Sequence, residues 1–136
     1  MIELAILELL RAHAPLMTLL SGRALAVDMV DVHQDVAPPY LVFNMGDGQR
    51  LGRGNLCDPA DLGALSQQIL LMPWAKTAPE VQAINAAARS ALLGGARVVA
   101  GASIQSIQWT AYRPWAREPS TELLTRGQVL TVQHTE

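Results

Sequence analysis

Apolar positions at the start of the chain recur with helical spacing. Ile2, Ile6, Leu9 and Leu10 fall on one side and Glu3 sits near the N-terminus, which predicts an amphipathic helix over Met1 to His13. Pro15 interrupts it, Leu16 to Leu20 adds one more turn, and Ser21-Gly22 ends that turn. Arg23 to Val32 has weak β character. Ala37-Pro38-Pro39 forms a rigid extended entry to Tyr40–Met45, the clearest strand of the N-terminal half. Gly46 to Gly63 is rich in glycine and carries two arginines, which predicts a long turn or an open hairpin tip.

The centre of the chain is more sharply patterned. Leu65 to Met72 is a short β-capable run that Pro73 is expected to stop. Thr77 and Glu80 have capping-box spacing, Pro79 suits a first helical turn, and Gly94-Gly95 is expected to supply a left-handed stop. Between them Val81, Ile84, Ala88, Ala91 and Leu92 form one apolar stripe. Glu80, Gln82, Asn85 and Arg89 are expected mostly off it. Ala102 to Tyr112 reads as a further strand. Ile104 and Ile107 break its alternation, which points to a bulge. Pro114 to Ser120 reads as a loop, and Gln128 to Gln133 as a final strand.

This order predicts one α+β domain over residues 1–136. About four mainly antiparallel strands would carry two or three helices on one face. Leu70 and Met72 alternate with Ile69 and Leu71, so both faces of that strand are partly apolar. The same holds for Val129 against Leu130 and Val132. A small domain with few helices cannot easily cover both faces, which implies a surface for other proteins.

Composition narrows the possible chemistry. Half of the 136 residues are hydrophobic, 16% are charged and the net charge is -2. That is enough apolar material for a core. No basic run exists, which argues against non-specific nucleic-acid binding but leaves room for a local basic ring. Cys57 is the single cysteine, so neither an internal disulfide nor a cysteine-rich zinc site is expected. No apolar run approaches membrane-spanning length. Glu3 and Glu8 in the first apolar run argue against a signal peptide.

Four groups of residues invite a chemical reading. Asp31, His33 and Asp35, with Asp28 nearby, would share a strand face and offer oxygen and imidazole ligands to a divalent ion. A solvated strand edge is the plainer account, and a small metal-binding enzyme the alternative. The Gly46–Gly54 stretch lacks the Gly-Lys-Ser/Thr ending of a phosphate loop. Arg50 and Arg53 within it are candidates for contacting a partner or facing a lumen that carries DNA. Cys57 lacks histidine or aspartate at a nucleophile's typical spacing, and His13, His33 and His134 are scattered. Trp74, Trp109 and Trp115 could stack bases, but are better read as core or subunit-contact anchors. No catalytic, cofactor or metal residue is assigned.

The order of these pieces carries a resemblance. It runs from a helix ending near Leu20-Ser21-Gly22-Arg23 to Ala37-Pro38-Pro39-Tyr40-Leu41-Val42-Phe43. Leu65 to Trp74, the alanine-rich helix Ala78 to Leu93 and the Ile104–Ile107 strand follow. Leu123–Gly127 then leads into a strand ending Val132-Gln133-His134. The whole resembles the tail completion, or tail terminator, family of long-tailed phages and gene transfer agents. Asp47 to Leu62 departs from it by lacking a short hairpin, and the Pro73–Thr77 junction is longer than usual.

The resemblance implies a structural virion protein of the tail and neck, assembled in the host cytoplasm and without catalytic residues or cofactor. It implies a homo-oligomeric ring, usually a hexamer, on the head-proximal end of the tail tube. Its expected partners are the tail tube protein and a head–tail connector or neck protein, with DNA passing through the lumen and no membrane. Another neck adaptor is the second function it allows.

Overall fold

The computed structural model describes residues 2–20, 24–26, 39–46, 49–50, 64–119 and 122–135. In chain order the elements are α1 (Ile2–Ala12), α2 (Ala14–Leu20), β1 (Ala24–Ala26), β2 (Tyr40–Met45), β3 (Gln49–Arg50) and β4 (Ala64–Trp74). They continue with α3 (Ala78–Leu92), β5 (Arg97–Val99), β6 (Ala102–Arg117) and β7 (Leu124–Thr135). The strands form one sheet in the order β1-β2-β4-β7-β6-β5, with β3 paired to β4. All pairings are antiparallel except β1 with β2. The fold is α+β, and its long strands are the four expected from the sequence.

The helices cover one face. Ile2, Ala5, Ile6 and Leu10 of α1, Leu16 and Leu20 of α2, and Val81, Ile84, Ala88 and Leu92 of α3 are buried. They pack on Leu41, Phe43, Ile69, Leu71, Ile104, Ile107, Leu130 and Val132. The register puts Ile69 opposite Leu130 on this face and Leu70 opposite Val129 on the other. The other face has its own smaller cluster of Tyr40, Val42, Trp74 and Leu123, with Met72 against it. Both faces of the sheet are therefore apolar.

Several local expectations change. Pro73 does not end β4, which runs on to Trp74. Pairing of β4 with β7 lapses after Leu71↔Gln128 and resumes at the bridge Ala75↔Leu124. The same register places Pro73 opposite Arg126, so the missing proline N–H falls in this gap. Asn85 fills the gap from α3: its Nδ2 donates to the Arg126 carbonyl at 2.7 Å. Gln128 Nε2 donates back to the Asn85 carbonyl at 2.9 Å. Asn85, expected off the buried stripe, is thus 2% exposed.

The ends of α3 also differ in detail. The Glu80 N–H donates to Thr77 Oγ1 at 3.4 Å, which is one half of a capping box. The Glu80 carboxylate, however, accepts from the Thr77 hydroxyl. At the C-terminus no left-handed glycine appears. Leu93 is extended at φ -60° and ψ 138°, its N–H donating to the Arg89 carbonyl. The Arg97 guanidinium donates to the Leu92 carbonyl, capping the helix with a cation where the dipole favours one. Gly94 bridges to Ile107 instead, and a Cβ there would lie 3.3 Å from Arg97 Nη1.

Strand β6 continues through Pro114 to Arg117, where a loop was expected. Part of the glycine-rich stretch also pairs: Gln49 and Arg50 lie opposite Ser66 and Leu65. The Asp28–Asp35 group, Arg53 and Cys57 lie outside the described residues.

Candidate functional site

The β6–β7 ribbon outruns the helical layer. Beyond Ile107 every residue of β6 to Arg117 is exposed. Only Ala102–Ile104 of β6 pair with β5, so the outer side of the strand from Gln108 onward has no neighbour among the described residues. An uncovered strand edge presents alternating N–H and C=O groups ready to pair with another chain.

Three register shifts against β7 shape this ribbon, between Ile104 and Ser106, Trp109 and Ala111, and Tyr112 and Trp115. Each adds one residue to β6. In a regular strand, residues three apart point to opposite faces. The added residues cancel that rule. Ile104, Ile107, Trp109, Tyr112 and Trp115 lie opposite His134, Val132, Leu130, Gln128 and Arg126, all on the helix-bearing face.

An alternating stack of aromatic and cationic side chains results. The Arg89 guanidinium lies 4.9 Å from the Trp109 ring centroid and 5.2 Å from that of Tyr112. Arg126 lies 4.1 Å from the Tyr112 centroid and 5.7 Å from that of Trp115. Trp109 and Tyr112 meet edge to face at 5.2 Å. Arg89 Nη2 also donates to the Tyr112 hydroxyl. The rings remain open to solvent at 38%, 37% and 40% for Trp109, Tyr112 and Trp115. Both Nε atoms are buried without a partner, and no ion pair neutralises either guanidinium among the described residues. This is a rigid, cationic, aromatic strip of the kind that anchors protein interfaces.

The family described as tail completion protein gp17 matches residues 4–133. The chain belongs to that family. It is therefore a structural component of a phage-type tail or head–tail joint, and a constituent of the virion. No curated protein matches the chain. One solved structure, a chain from "Virion of native gene transfer agent (GTA) particle", superposes with a TM-score of 0.69 at 16% identity. The match covers 98% of this chain and 94% of that one, and shows a shared fold.

In this tail completion protein the three tryptophans part company. Trp74 is 5% exposed and packs with Tyr40, Val42 and Leu123. Trp109 and Trp115 stand outward on the ribbon. The backbone of Arg50 lies on β3 beside β4, distant in sequence from the ribbon's cations. Of the histidines, His13 Nδ1 accepts from the Leu16 N–H. His134 Nε2 lies 2.6 Å from Gln67 Oε1, and Gln67 Nε2 donates to the Gly46 carbonyl. Gln67 Oε1 can only accept, so His134 carries its proton on Nε2. Among the described residues no group of three or more histidine, cysteine, aspartate or glutamate side chains could hold a metal. No described helix is long and apolar enough to cross a membrane.

On the sheet's other face, a cleft of about 260 Å³ is lined by Leu70, Met72, Pro114 and Thr125 with Arg113 at its side. Nearby, burial and then the Glu118 carboxylate push the Tyr40 phenol up to about 12. Arg89, Tyr112 and Arg126 were not singled out from the sequence. The signal was the three-residue spacing of Trp109, Tyr112 and Trp115, which fits a strand only once it is bulged.

Proposed function

We propose that the chain assembles into a closed ring of roughly six copies on the head-proximal end of the tail tube. There it ends tube polymerisation and presents a surface to the neck. The exposed edge of β6, with Trp109 and Trp115 beside it, is the observation that carries this reading. A ring needs two different patches per copy, and a strip of open backbone with rigid aromatics suits one of them. Trp74 lies within the chain's own second cluster, on the opposite face of the sheet from the strip, and so serves the core. Arg50 and Arg53 would face the tube protein, the neck protein or passing DNA, where phosphate contacts need charge and no base reading.

Particles made without this chain test the proposal. Tails of uncontrolled length, or finished tails unattached to heads, are expected in electron micrographs. Tails of normal length joined to heads would remove the proposal. So would labelled copies of the chain found at the distal tip.

A further inference from the structure

Two patches of the described surface carry net charge of opposite sign beside exposed apolar side chains. One is the rung formed by Arg89, Tyr112 and Arg126, where two unneutralised guanidiniums share one ring. The other is the outward side of α1. Glu3 and Glu8 are exposed there, outnumber the exposed Arg11 at the far end of the same side, and make no ion pair among the described residues. Leu4, 47% exposed, lies one helical turn before Glu8.

We infer that α1 of one copy docks its Glu3, Leu4 and Glu8 side onto the Arg89–Tyr112–Arg126 rung of the next copy. The inference rests on the ring reading and names the two surfaces that would meet. A guanidinium can stack on a ring through its face while its edge donates to a carboxylate, so the stack leaves Arg89 and Arg126 oriented to receive Glu3 and Glu8. Their arrival relieves the repulsion between two cations on one ring. Leu4 covers aromatic surface that is otherwise wet. Every ring of the strip already carries a guanidinium within 5.7 Å of its centroid, which disfavours stacking of nucleic-acid bases. The two patches differ, so the contact is heterologous and can close into a ring.

Reversing both sides tests the pairing. Cells whose only copy of the gene is a variant would be scored for tailed, head-joined particles. Arg89→Glu with Arg126→Glu, and separately Glu3→Arg with Glu8→Arg, should each lower the yield at least about tenfold. Combining all four substitutions in one chain should restore it to within about threefold of wild type. Neutral double variants overturn the inference. A fourfold variant as poor as the doubles also overturns it, and assigns the strip to DNA or to another protein. Arg126→Gln and Glu8→Gln provide a milder pair in case the reversals unfold the chain. A combined loss smaller than the product of the single losses supports contact, and a fully multiplicative loss refutes it. The ring's place on the tail is read by imaging wild-type particles, so an error there is distinguishable from a failure of charge rescue.

Discussion

The Asn85 side chain donates to the Arg126 carbonyl at the rung where Pro73 has no N–H to offer. A helix thereby completes a hydrogen-bond ladder between two strands, and α3 is fastened to the sheet at its weakest rung. Asn85→Ala leaves a buried carbonyl unsatisfied and should cost about 1–3 kcal/mol in urea unfolding. Pro73→Ala restores a backbone donor facing the same carbonyl. In the Asn85→Ala background it should therefore be less damaging than in wild type. Equal effects in both backgrounds would show that Pro73 and Asn85 act independently.

Tyr40 makes stability depend on alkaline pH. Its phenol is neutral in the fold up to about 12, against about 10 when unfolded. Between these values the unfolded chain has lost the proton that the folded chain retains, so stability falls as pH rises from 10 toward 12. It is fully present below 10. Denaturation midpoints across this range should fall more steeply for wild type than for Tyr40→Phe. Parallel slopes would remove Tyr40 from the account.

The tryptophans should separate stability from assembly. Trp74→Ala empties a buried site and should cost about 3–5 kcal/mol. Trp115→Ala removes a ring that is 40% exposed, and should change the melting of the isolated chain little while lowering assembly. Calorimetry of the purified chains beside counts of complete particles would distinguish the two. A Trp115→Ala chain that assembles normally would count against the ribbon as an interface.

Much of the fold was legible because local signals agreed with global packing. The stripe of Val81, Ile84, Ala88 and Leu92 and the phases of Ile69 and Leu71 each pointed to the helix-bearing face. Asn85 was misplaced because its burial depends on a partner 41 residues away that no helical pattern encodes. Pro73 reads as a strand stop and Pro114 as the start of a loop, yet both lie in strands where a rung is absent or the register shifts. Gly94 looked like a left-handed cap, but Arg97 supplies that role from beyond the helix. The candidate site was half visible: Trp109 and Trp115 could be named, while the arginines between the rings come from α3 and β7. Their meeting is a tertiary fact.

The three added residues in β6 have a further effect on the free molecule. A long, flat, regular edge rich in tryptophan and tyrosine would template stacking of copies into fibrils. Here the backbone groups are unevenly spaced, so a stray strand cannot zip along the full length. An irregular edge of this kind discourages runaway pairing between free copies before they enter a particle.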